Sequence, residues 1–171
     1  MKNRFLLGTA LFAMVAGASS VWAAGPTFSN KDVKGTYALK FSGFLGSAGN
    51  PFPTTSSLPQ SGSGIEIADG KGNFNSAILF SIGGSICSGT VTGTYTVNSD
   101  GTGTSSGTFT PSATAPSGVP TPNYGCPSQM TGAQDEAFTI VSPGKVEFIS
   151  TDADSIVSGT AERQSRNGVH H

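Results

Sequence analysis

Between residues 36 and 44 the chain alternates. Tyr37, Leu39 and Phe41 fall on one side, and Thr36, Ala38, Lys40 and Ser42 on the other, the two-residue period of a half-buried strand. The period returns further on. Ile65 and Ile67 flank Glu66 ahead of the turn Asp69-Gly70-Lys71-Gly72-Asn73, and Phe74, Ser76, Ile78, Phe80 and Ile82 then share one face. Two alternating runs joined by an Asp-Gly turn predict a hairpin. Gly83-Gly84 turns the chain into residues 85–98, where Cys87, Gly89, Val91, Gly93, Tyr95 and Val97 share a face, and Asp100-Gly101 marks the next tight turn. Residues 102–110 are polar and interrupted by Gly, but their Thr content and Phe109 favour a strand over a helix. Residues 137–141, 145–150 and 156–163 complete the set, with Ser142-Pro143-Gly144 turning between the first two. No apolar residues recur at sustained helical spacing.

Two segments read as long loops because they are dense in Pro and Gly. Residues 45–62 hold Gly46, Gly49, Pro51, Pro53, Pro59 and Gly62, and residues 111–129 hold Pro111, Pro116, Pro120, Pro122 and Pro127. About eight short strands joined mostly in chain order predict an all-β fold, an antiparallel up-and-down barrel of about eight strands. Closing such a meander on itself removes the unpaired edges that invite aggregation. A β-sandwich is the alternative, since the two Pro-rich segments could serve as its crossovers.

Composition narrows the function classes. Charged residues make only 11% of the 171 residues, the formal net charge is −1, and Gly numbers 24. A chain so poor in charge is neither a coiled coil nor, without a basic excess, a nucleic-acid binder. The Gly is expected largely in turns and loops and the abundant Thr largely in strands. Residues 1–23 have the form of a signal peptide: Lys2 and Arg4 before an apolar stretch, then the small-residue site Val21-Trp22-Ala23. An uncharged run this short falls below the ~20 residues that span a bilayer as a helix. The expected organisation is a signal peptide at 1–23, one β-barrel domain at 24–163 and a flexible tail at 164–171, exported to the periplasm or beyond the cell. An outer-membrane barrel is disfavoured, because residues 102–110 offer almost no apolar face.

The two cysteines, Cys87 and Cys126, form an even pair in an exported chain and are expected to bond to each other, pinning the second long loop to the fourth strand. Asp-Gly-x-Gly occurs at residues 69–72 and again at 100–103. Each copy supplies one carboxylate where a calcium loop needs several, so turn formation is the expected role. Gly-x-aromatic recurs at Gly35-Thr36-Tyr37, Gly93-Thr94-Tyr95 and Gly107-Thr108-Phe109, a device that bends a strand while a ring fills the interior.

Catalytic constellations are thin. The only two His are His170 and His171, at the end of the chain, where a purification tag explains them better than ligation does. That leaves no Ser-His-Asp or Cys-His arrangement, no imidazole metal site and no cofactor motif. Asp135-Glu136 and Asp152-x-Asp154 read as solvated surface.

The segments Lys34-Gly35-Thr36-Tyr37, Asp69-Gly70-Lys71-Gly72-Asn73 and Cys87-Ser88-Gly89-Thr90-Val91-Thr92-Gly93-Thr94-Tyr95-Thr96-Val97, with the Asp100-Gly101 turn, resemble small exported bacterial proteins with a barrel of the calycin or allene oxide cyclase type. The resemblance implies an eight-stranded barrel able to hold a small apolar ligand. No residue matches the cyclase's catalytic positions. The expected function is therefore a secreted, non-enzymatic barrel that binds a small apolar or amphipathic molecule. Its interior candidates are Tyr37, Phe41, Phe74, Ile78, Phe80, Tyr95 and Phe148. The alternative is a structural or adhesive protein of the cell surface or extracellular matrix.

Overall fold

The structure, a computed structural model, describes residues 25, 27–46, 57–126, 133–153 and 155–165. The expected signal segment at 1–23, His170 and His171, and most of the tail at 164–171 lie outside the described residues.

Eight antiparallel strands follow in chain order: β1 (Gly35–Leu45), β2 (Leu58–Ala68), β3 (Asn73–Ile82), β4 (Ser85–Val97), β5 (Thr102–Pro111), β6 (Ala133–Ser142), β7 (Lys145–Ser150) and β8 (Ser155–Arg163). Each pairs with its neighbour in sequence, and β8 pairs back onto β1, with Leu39 opposite Ala161, so the sheet is a closed up-and-down barrel. Closure through the β1–β8 seam excludes the two-sheet sandwich.

One expected loop is shorter than its Pro and Gly content suggests, and one expected strand is longer. β2 begins at Leu58, so residues 58–62 are strand rather than loop. Pro59 is tolerated because it pairs with Phe44 at the rim of the barrel, outside the β2–β3 ladder, where a missing N–H costs nothing. β6 starts at Ala133, opposite Thr108, four residues before the expected strand at 137–141.

Glycine corrects a second expectation. Turns do use it: Gly70, Gly101 and Gly144 have φ between 76° and 88°, a region open to Gly at little cost. Many others lie within the strands on the inner face. Gly103 lies beneath the Phe138 ring, Gly107 and Gly93 beneath Phe74, Gly159 beneath Phe148, Gly89 beneath Phe109 and Gly62 beneath Phe41. A ring on one strand thus occupies the space that a side chain on another would need, which lets a narrow barrel curve tightly around large aromatics.

The barrel has a plugged end and a looped end. The short 3-10 helix Asn30–Val33 covers the first, where Val33 joins Tyr37, Leu39, Ala68, Tyr95, Phe138, Val146 and Ala161 in one buried cluster. The helix is tied down by Asn30, whose side-chain oxygen accepts from Val97 N at 2.8 Å. At the looped end a second cluster gathers Leu45, Phe80, Ile82, Cys87, Val91 and Phe109, with Phe80 edge-on to Phe109 at 5.8 Å between ring centroids. The Cys87–Cys126 disulfide is present. It holds the described part of the 111–129 loop against β4, helped by Gly125 N donating to Ile86 O at 2.9 Å and by Tyr124 Oη, which donates to Ser112 O at 2.8 Å.

Gly103→Ala tests the ring-on-glycine packing, because the added methyl would collide with the Phe138 ring and the Thr96 carbonyl. It should destabilise by about 2 kcal/mol in urea denaturation, in the range for overpacked cores. Gly125→Ala, with open space around the new methyl, should stay within about 0.5 kcal/mol of the parent.

Candidate functional site

Alternation on a closed sheet sends every second side chain inward. The inner set includes Tyr37, Leu39 and Phe41 on β1; Gln60 and Glu66 on β2; Phe74, Ser76, Ile78 and Phe80 on β3; Val91 and Tyr95 on β4; Ser105 on β5; Glu136 and Phe138 on β6; and Phe148 and Ser150 on β7. β5 contributes Gly103, Ser105 and Gly107, so its wall is low. Between the two packed clusters the lumen keeps a cavity of about 120 Å³.

Six of the seven residues expected to face the interior line this cavity: Tyr37, Phe41, Phe74, Ile78, Phe80 and Phe148. Tyr95 is buried on the same inner face but is turned to the plugged end. Its hydroxyl accepts from Gly70 N at 3.0 Å and donates to Asn30 O at 3.2 Å, so it is committed to the fold. The Tyr37 hydroxyl differs. Tyr37 is only 1% exposed, and its hydroxyl has no hydrogen-bond partner among the described residues. The Arg163 guanidinium lies at the plugged end, 6.0 Å from the Tyr37 ring centroid. Burial raises the Tyr37 pKa, against the opposing effect of Arg163.

Acidic residues also line the cavity: Glu66, Glu136 and Asp152. Glu66 stands opposite Tyr37 in the β1–β2 register and accepts from Ser76 Oγ at 2.9 Å. Glu136 comes from the other side of the barrel and accepts from Ser105 Oγ at 3.1 Å. Asp152 follows β7 at the looped end, where its carboxylate accepts from Asp135 N and from Ser150 Oγ. The expectation of solvated surface therefore fails for Glu136 and for Asp152, both of which line the cavity. Adjacent strand residues point to opposite faces, and it is the second of the Asp135-Glu136 pair that points in. Asp154 lies outside the described residues.

Among the described residues no Lys, Arg or His lines the cavity, so Glu66 and Glu136 face one another there without a cation. Burial, with the Glu66 charge across the lumen, pushes Glu136 up to about 7, the hydrogen bond from Ser105 opposing the shift. Burial likewise raises Glu66, against the hydrogen bond from Ser76. These are the shifts of partly desolvated carboxyls. The turn carboxylates behave oppositely. Asp69 accepts from Asn73 Nδ2 at 2.6 Å and from the backbone N–H groups of Lys71 and Asn73, which hold it down at about 2. Asp100 accepts from the Thr102 hydroxyl and N–H and is lowered too. Both Asp-Gly-x-Gly copies thus direct their carboxylate oxygens at their own turn. Among the described residues there is no group of three His, Cys, Asp or Glu that could hold a metal ion.

The sequence held one signal for the missed residues. Glu136 has the parity of Phe138 and Ile140, and Ser76 that of Phe74 and Ile78, so alternation alone assigns both to the inner face. For Glu66 the signal misled, because the flanking Ile65 and Ile67 point outward and are 43% and 58% exposed.

No protein-family model matches the chain, and no curated protein matches it significantly. Among solved structures it is similar to a redesigned β-barrel, at 16% identity over 80% of this chain and 95% of that one, with a TM-score of 0.45. No helix among the described residues is long and apolar enough to cross a membrane.

A raised carboxyl means that the folded chain keeps a proton the unfolded chain has lost. Stability should therefore fall as pH rises from about 4.5 to about 7, by about 3 kcal/mol for Glu136, and level off above that. Below about pH 4 the lowered Asp69 and Asp100 act with the opposite sign. Urea denaturation at pH 5, 6, 7 and 8 reads this slope. Glu136→Gln should flatten most of it, and a parent protein that gains stability over the same range would contradict the assignment.

Proposed function

We propose that the protein is an exported, non-enzymatic barrel that binds one small, largely apolar molecule in its lumen. The observation that carries this reading is the cavity itself: about 120 Å³ inside a closed sheet, walled by Phe41, Phe74, Phe80, Phe138 and Phe148, with hydrogen-bonding groups such as Glu66, Glu136 and the Tyr37 hydroxyl interspersed among them. Ligand sites are commonly apolar hollows with a few placed polar groups. The volume is below that of drug-sized pockets and approaches the roughly 150 Å³ of an engineered apolar cavity that takes up benzene. The ligand is accordingly a single ring, or a chain of similar bulk, with a short polar substituent.

The disulfide supports an oxidising, exported location, and the likeness of the 34–37, 69–73 and 87–97 segments to calycin-type barrels points the same way. The adhesive alternative loses its simplest mechanism, because strand donation needs a free sheet edge and every strand here has two partners.

Benzyl alcohol serves as a neutral probe. Titrated into the ¹⁵N-labelled protein, it should shift amide resonances of inner residues on β1, β3 and β7 with saturation in the millimolar range. Val157, which lines the cavity, offers a way to fill it: Val157→Phe should keep the fold and abolish the shifts. Shifts confined to outer residues, or unchanged in the filled variant, would count against the reading.

A further inference from the structure

The lumen combines features that a purely apolar ligand would leave unsatisfied. Glu66 and Glu136 enter it from opposite sides, each with a hydrogen bond to only one of its oxygens: Ser76 Oγ at 2.9 Å for Glu66 and Ser105 Oγ at 3.1 Å for Glu136. Among the described residues no cationic side chain lines the cavity to compensate them. Beside Glu66, in register with it, the Tyr37 hydroxyl is buried and unpartnered, although buried hydroxyls nearly always find a partner. The wall also includes the rings of Phe41, Phe74, Phe80, Phe138 and Phe148, and aromatic rings attract cations. Acceptors lacking a donor, carboxylates lacking a counter-charge and several aromatic rings all call for a positively charged donor.

We propose that the ligand is a small amphipathic cation, an aromatic or alkyl group bearing a primary ammonium. Its apolar part packs against Phe41, Phe74 and Phe148, and its ammonium sits between Glu66 and Glu136 within reach of the Tyr37 hydroxyl. This inference rests on the binding reading above and gives it a substrate class. The ammonium supplies three donors and a counter-charge that the half-buried carboxylates otherwise lack, so each partner offsets the other's desolvation.

Binding of such a cation must be coupled to proton release. Glu136 is about half protonated near pH 7, and the carboxylate form is the one that pairs with ammonium. The groups facing it are Glu66 from β2 and Asp152 beyond β7, which keep its proton on, and the Ser105 hydroxyl of β5, which favours its loss. Tyr37 on β1 and Arg163 at the end of β8 lie nearer Glu66, with Tyr95 of β4 behind them at the plugged end.

The test compares benzylamine, benzyl alcohol and benzoate, ligands of one shape and three charges, by calorimetry and by the amide shifts of the full chain. Benzylamine should bind at least about tenfold more tightly than benzyl alcohol, as a charge-assisted contact implies, and benzoate should bind most weakly. Benzylamine affinity should fall about tenfold between pH 8 and pH 6 as Glu136 takes up its proton. The paired variant Glu66→Gln with Glu136→Gln should bring the amine-to-alcohol ratio close to one. Should that variant fail to fold, the pH series on the parent protein decides by itself. Equal binding of all three ligands, a preference for benzoate, or benzylamine affinity independent of pH overturns the cation assignment and leaves the binding reading standing. Failure of all three to bind overturns both.

Discussion

The structure depends on a steric exchange across the inner face of the sheet. An eight-stranded barrel is just wide enough for its side chains to fill, yet this one admits five or more Phe rings. It does so by setting glycine where each ring must lie: Gly103 for Phe138, Gly159 for Phe148, Gly93 and Gly107 for Phe74. The pairing fixes register as well as curvature. A shift of one residue would send rings to the outer face and leave the glycines against nothing, so the β8–β1 seam that closes the barrel is specified by packing.

That exchange is unevenly distributed, and the unevenness makes the site. At the looped end of β3, β4 and β5, Phe80, Phe109 and the Cys87–Cys126 disulfide fill the interior. At the other end the 3-10 helix and Tyr95 fill it. Between them, toward β6, β7 and β8, small residues such as Ser105, Ser150 and Ser155 leave the hollow. Glu66 and Glu136 enter where water is scarce and rings are close, which is why the Glu136 carboxyl stays protonated far above its usual range. A core selected for stability alone would place apolar groups there, since an uncompensated, partly desolvated carboxyl is costly.

The fold was largely legible in the sequence because alternation is a strict rule on a half-buried strand. Tyr37, Phe41, Phe74, Ile78, Phe80, Tyr95 and Phe148 follow it without exception, and the Asp-Gly turns and the cysteine pair supply the connections. The start of β2 was hidden because Pro59, Gly62 and Gly64 look like breakers, whereas the barrel puts the proline at its rim and uses Gly62 as the floor for Phe41. The acidic half of the lumen was hidden for a different reason. Patterning sorts residues by polarity, and a carboxylate between Ile65 and Ile67, or beside Asp135, is assigned to solvent by default. Only pairing with neighbours settles the face, and the neighbours of Glu66 are Tyr37 and Ser76.

The central claim is that closing this sheet over its glycines leaves an acidic hollow sheltered from water. Carbon-detected NMR titration of the Glu136 side-chain carboxyl reads it directly. The account predicts a midpoint near pH 7 that moves downward when Glu66 is replaced by Gln; a midpoint near 4.5, indifferent to that replacement, would place the carboxyl in solvent and contradict it.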